Sequence, residues 1–190
     1  MLTPGIDFIN FKVKKNTHLV KKNLVSILKE KNKVVDSLSQ NYKNSFTKKL
    51  LLKYKKALNY RVIGIGGSTL GTQSIYDFLT HKIKKNFLFT DNLQANPNKN
   101  RKRYTNLIVS KSGNTIETIV NANIFIKKKD KNIFITENKN SYLLSLAKKL
   151  KSDIIHHNNY IGGRYSVLSE VGMLPAELMG YKPEKFKRLN

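Results

Sequence analysis

Apolar residues change their rhythm once along this chain. Up to position 58 they recur at spacings of three and four: Leu24, Ile27 and Leu28, then Val34, Val35 and Leu38, then Leu50, Leu51, Tyr54 and Leu58, with lysines between them. That rhythm predicts short one-sided helices, the first capped at Asn16 or Thr17. From Tyr60 onward, short continuous apolar runs at 61–65, 87–89, 107–109, 133–135 and 154–155 alternate with helical patterns near 70–79, 115–126 and 141–150. Strands apolar on both faces and separated by helices predict a parallel sheet covered on each side. Residues 93–103, rich in Asn and basic side chains with one Pro, read as a loop or short irregular helix. The pattern therefore predicts a helical N-terminal arm over 1–58 and an α/β domain over 59–190, with no internal repeat.

A length of 190 residues suits one domain with an arm and is enough to bury a sizeable core. The absence of cysteine excludes disulfides and thiolate-bound metals. Of the four histidines only His156 and His157 are neighbours, so no metal site is expected. The N-terminus lacks the apolar core of a secretory signal, and no apolar run is long enough to span a bilayer. These observations predict a soluble, cytoplasmic protein without a membrane partner.

The formal net charge of +24 raises the question of nucleic acid. The lysines, however, are spread along nearly the whole chain, and Asn and Ile are abundant beside them, as A/T-rich codons would dictate. A solvated surface explains dispersed lysine, and part of the charge can steer an anionic metabolite toward a cleft. The basic run at 99–103 beside Tyr104 has no RNA- or DNA-binding signature around it, so no specific nucleic-acid partner is expected.

Ligands of an open parallel sheet bind beyond the carboxyl ends of its strands, and three predicted strand ends are unusual. After the first run comes Gly64-Ile65-Gly66-Gly67-Ser68-Thr69-Leu70-Gly71. Its glycines permit positive φ and close approach of a ligand, and the helix start offers free amides to an anion. It is neither a dinucleotide fingerprint, since Thr69 stands where a third glycine is required, nor a P-loop; a plain tight turn would also fit. After the third run comes Ser110-Lys111-Ser112-Gly113-Asn114-Thr115-Ile116-Glu117-Thr118. Hydroxyls, a lysine, a glycine and a helix start suit a phosphate monoester. Asn114 and Glu117 would equally suit a capping box, and the two readings are compatible. After the last run comes Ile161-Gly162-Gly163-Arg164-Tyr165-Ser166. The planar fork of Arg164 suits developing oxygen charge, or alternatively tethers backbone carbonyls.

Together and in this order, the three motifs resemble the glucose-6-phosphate isomerase family, whose first sugar-isomerase (SIS) domain carries G-I-G-G-S-x-L-G, S-K-[S/T]-G-x-T-x-E-T and G-G-R-[F/Y]-S. The likeness covers roughly residues 60–180. It implies a SIS-type three-layer α-β-α sandwich with a five-stranded parallel sheet, and an aldose–ketose isomerase acting on glucose 6-phosphate and fructose 6-phosphate without cofactor. By resemblance, Ser110, Lys111, Ser112 and Thr115 hold the sugar phosphate, while Gly67, Ser68 and Gly163 line the sugar. Arg164 would stabilise the cis-enediolate near C1–C2, with Glu117 supporting from behind. Glu170, Thr72 and Gln94 depart from the family's pattern, all outside the phosphate loop.

The resemblance also implies a homodimer when the enzyme is complete. The family's base glutamate, ring-opening histidine and late lysine come from beyond the first domain, so residues 1–190 alone are expected to bind sugar phosphate weakly and turn over little. A stand-alone module sensing sugar phosphate is the alternative; a charge-driven nucleic-acid binder is the more remote one.

Overall fold

The computed structural model describes residues 17–30, 32–93, 102–127 and 129–187. The chain divides into two compact units, residues 1–32 and 33–190. The described part of the first is the helix α1 (His18–Lys29), whose N-cap Thr17 makes no side-chain capping bond. Asn16, the other predicted cap, lies outside the described residues.

The second unit opens with α2 (Lys33–Ser37) and α3 (Lys48–Tyr54), the latter capped by Thr47 accepting from the Leu50 amide. Five strands follow: β1 (Asn59–Ile63), β2 (Asn86–Thr90), β3 (Thr105–Val109), β4 (Lys131–Thr136) and β5 (Asp153–His156). They lie in the order β2-β1-β3-β4-β5, and every neighbouring pair is parallel. The helices α4 (Leu70–Leu79), α5 (Ile116–Phe125) and α6 (Tyr142–Lys149) stand between strands, as the apolar rhythm predicts. The segment after β5 makes a 3-10 turn over Gly163–Leu168, then α7 (Glu170–Met179) and the short α8 (Pro183–Phe186).

Alternate side chains of the buried strands feed two cores. Val62, Leu107, Val109, Ile133, Ile135 and Ile155 join Leu51 and Tyr54 of α3, Ile75 of α4 and most of α7. Ile63, Ile108 and Phe134 join Ala122 of α5 and Leu143 and Ala147 of α6. The result is the expected three-layer α/β sandwich. Because β1 lies between β2 and β3, the strand order reverses between β1 and β3, the position beyond whose carboxyl ends open parallel sheets bind their ligands.

Helix α7 is not visible in the periodicity, because nine of its ten residues are buried and it presents no polar face. It also contains Pro175, which cannot donate to the carbonyl of Val171 one turn earlier. The Thr72 hydroxyl of α4 donates to that same carbonyl at 3.2 Å. Thr72 thus supplies the hydrogen bond that the proline removes.

Candidate functional site

The first motif leaves β1 with Gly66 at φ +56°, a conformation that favours glycine, and forms a single 3-10 turn before α4. Gly67 abuts the third motif directly. A Cβ placed on it would lie 2.3 Å from the Gly163 carbonyl oxygen and 2.6 Å from the Gly163 Cα. Ser166 fastens this contact, its hydroxyl lying 3.0 Å from the Gly67 oxygen and 2.8 Å from the Gly163 oxygen. The first and third motifs, 96 positions apart by residue number at Gly67 and Gly163, therefore meet backbone to backbone.

The second motif is organised by its own side chains. The Ser110 hydroxyl lies 3.0 Å from that of Thr115 and accepts from the Gly113 amide at 3.2 Å. The Ser112 hydroxyl accepts from the Asn114 amide at 3.2 Å. Gly113 takes φ +67°, and a Cβ there would strike the Ser141 hydroxyl at 2.2 Å. The capping-box reading fails: the helix N-cap is Thr115, without a side-chain bond, and the Asn114 side chain accepts instead from the Tyr142 amide at 2.9 Å. Asn114 thereby ties the loop to the start of α6. Glu117 stands half-buried in the first turn of α5 and makes no hydrogen bond or ion pair among the described residues. Lys111 is engaged by the protein, donating to the Asn159 carbonyl and lying 3.5 Å from Glu137.

Arg164 is exposed, and among the described residues its guanidinium makes no hydrogen bond or ion pair, so it does not tether loop carbonyls. It lines a cavity of 1340 Å³ together with Gly67, Gly163 and Tyr165 and the apolar side chains Leu70, Phe78, Val167 and Phe186. Ser68, Ser110, Lys111, Ser112, Thr115 and Glu117 do not line this cavity. The hydroxyl loop is joined to the arginine segment through the Lys111–Asn159 bond and to the first motif through β1 and β3, where Gly64 packs on the Val109 carbonyl.

Behind the arginine segment lies a buried polar cluster that the sequence reading did not assemble. His157 Nδ1 meets Glu170 Oε1 at 2.6 Å, and both side chains are almost wholly buried. Tyr42 donates to Glu170 Oε2 at 2.9 Å, and Asn158 donates to the Tyr42 oxygen at 2.9 Å. The Lys187 ammonium sits 4.6 Å from the centre of the Tyr42 ring. Burial works to raise the Glu170 pKa. The His157 hydrogen bond, the backbone amide at the helix start, the His157 charge and the Tyr42 hydroxyl together hold it below its ordinary value of 4.5. Burial first, and the Glu170 charge second, push the Tyr42 phenol up. The one signal in the sequence was Glu170 itself, an acid in an otherwise apolar stretch.

The phosphoglucose isomerase family profile matches residues 14–189. This chain belongs to the phosphoglucose isomerase family. It is 36% identical over 146 residues to a glucose-6-phosphate isomerase of Acholeplasma laidlawii, a match covering 65% of this chain and 34% of that protein. Among solved structures, a hypothetical protein from Thermus thermophilus superposes with a TM-score of 0.68 at 21% identity, over 87% of this chain and 44% of that one. A glucose-6-phosphate isomerase from Chlamydia trachomatis superposes with a TM-score of 0.60 at 24% identity, over 73% and 29%. The match spans about a third of the length of such curated phosphoglucose isomerase relatives. No described helix is long and apolar enough to cross a membrane.

Proposed function

We propose that residues 59–190 are the first sugar-phosphate-binding domain of a glucose-6-phosphate isomerase, an aldose–ketose isomerase that interconverts glucose 6-phosphate and fructose 6-phosphate in the cytoplasm, homodimeric when complete. The observation that carries this reading is the junction of Gly67 with Gly163, which sets an unpaired arginine beside the first motif; the hydroxyl loop follows β3, the strand next to β1.

In this reading the phosphate rests on the hydroxyls of Ser110, Ser112 and Thr115 and on amides at the start of α5, where the helix dipole favours an anion. Lys111 leaves Asn159 and Glu137 to reach the phosphate. The sugar then runs along Gly67, Ser68 and Gly163 toward Arg164. The reaction moves a proton between C1 and C2 of the opened sugar, and negative charge grows on an oxygen as the enediolate forms. A guanidinium with no other partner can meet that charge without first giving up a bond. Glu117 supports the phosphate loop from the first turn of α5. The proton itself needs a carboxylate base, and in this reading that base belongs to the family's sequence beyond this domain. Lack of a general base costs roughly a hundredfold to ten-thousandfold in rate.

Titrating the ¹⁵N-labelled chain with fructose 6-phosphate tests the proposal. Amides 110–117 and 163–165 are expected to shift together, with turnover far below that of a complete isomerase. Silence of the 110–117 amides at millimolar ligand overturns the phosphate assignment.

A further inference from the structure

The buried cluster behind the arginine segment has a definite proton content. His157 Nε2 lies 3.1 Å from the Ile161 carbonyl oxygen, and Nδ1 lies 2.6 Å from Glu170 Oε1. A carbonyl has no proton to give, so Nε2 carries one. The short contact at Nδ1 needs a second proton between the nitrogen and the carboxyl oxygen. The surroundings decide which partner holds it. Tyr42 donates to Oε2, the Asn158 amide points at Oε1 from 3.4 Å, and Glu170 opens α7, where helix amides favour an anion. All three favour a carboxylate, so the ring is the donor across the short contact.

The positions of the pair in the chain give it a task. His157 directly follows β5, Glu170 begins α7, and Arg164 lies on the loop between them. The ring also grips the Ile161 carbonyl, on the limb leading to Gly162 and Gly163. The far limb is held by Ser169, whose hydroxyl donates to the Ser166 carbonyl at 2.6 Å. We propose that the His157–Glu170 pair is a clasp that positions Arg164: it closes the base of loop 158–169 and keeps that loop seated on Gly67. The proposal rests on the reading of Arg164 as the group that faces the sugar. His157 and Glu170 are positioning residues, since neither is open to a substrate.

Among the described residues, Tyr42 donates to Glu170, and Tyr160 and Lys187 flank Tyr42. Lys187 is buried without a hydrogen-bond partner there; burial lowers its pKa, against the charges of Glu170 and Glu184.

The test uses the full chain, ¹⁵N-labelled. Glu170→Gln is expected to move the amides of Gly162, Gly163 and Arg164 and to weaken fructose 6-phosphate on the order of tenfold through misplacement of the arginine, while inorganic phosphate binds as before. Glu170→Asp, which keeps the charge, is expected to recover part of the loss. Loop amides that stay in place in Glu170→Gln overturn the proposal, and so does equal weakening of both ligands. Should Glu170→Gln fail to fold, His157→Gln carries the same readouts and the same overturning results. Should fructose 6-phosphate fail to bind the wild type, the reading of Arg164 falls, and the loop amides still judge the clasp.

Discussion

The hydroxyl loop after β3 is braced largely by its own side chains, whereas the arginine loop after β5 is held by groups as far as 116 positions away. Ser110, Ser112 and Thr115 brace one another, and the backbone of their loop closes on their own oxygens. Asn114 and Lys111 add ties to the Tyr142 amide and the Asn159 carbonyl. The arginine loop depends more on distant groups. It leans on Gly67 in the turn after β1, on Tyr42 from the segment before α3, and on a buried ion pair. In the proposed reading a phosphate cradle can be mostly local, but an arginine that must meet a sugar needs the rest of the fold in place.

This contrast can be broken most forcefully at the junction. Gly67→Ala would drive a methyl group into the Gly163 backbone, and overpacking of this kind costs about 1–3 kcal/mol. Thermal unfolding should show that loss, and fructose 6-phosphate should weaken while inorganic phosphate does not. Equal weakening of both ligands would mean that the two loops are not independent. A milder change sharpens the other side: Ser110→Ala removes a hydroxyl that both Thr115 and the Gly113 amide use, worth about 0.5–1.5 kcal/mol. Calorimetry should find both ligands weakened alike, with the Arg164 amide unmoved.

Acid titration should give the smallest effect. Glu170 is held below its ordinary 4.5 by its hydrogen bonds and the His157 charge, against the burial that opposes them. Asp153 is likewise held below 3.8, the Lys53 and Tyr54 hydrogen bonds outweighing burial. A carboxylate with a depressed folded-state pKa contributes stability that is fully present above its unfolded value and is lost as pH falls through the folded one. The melting temperature should therefore hold steady from about pH 7 to about pH 5 and drop below that. In Glu170→Gln the drop should be shallower, and a drop of unchanged size would assign the acid limb to Asp153.

How much of this was legible in the sequence follows the same division. Helices declared themselves where one face differs from the other, so that the pattern at 70–79 became the helix Leu70–Leu79 and that at 141–150 became Tyr142–Lys149; the strands showed as short continuous apolar runs. Helix α7 was silent, being mostly apolar and carrying Pro175, a residue that argues against a helix interior. In the site, the mutual bracing of Ser110, Ser112 and Thr115 could be read because they are neighbours in the chain. Asn114 misled because a side chain placed to cap its own helix bonded to the start of the next one. The His157–Glu170 pair was beyond reach, since neither residue's neighbours reveal that Tyr42 would arrive beside them. Thr72 and Glu170 both satisfy polar groups around α7, and only the fold makes that connection.

The depth at which α7 is sunk bears on how this protein is made. It shares one side of the sheet with α3 and α4, so a growing polypeptide released only as far as β5 has every strand yet leaves the share of that side that α7 covers open to water. Assembly must then wait for Met179 to clear the ribosome, and until it does the arginine loop has no floor beneath it.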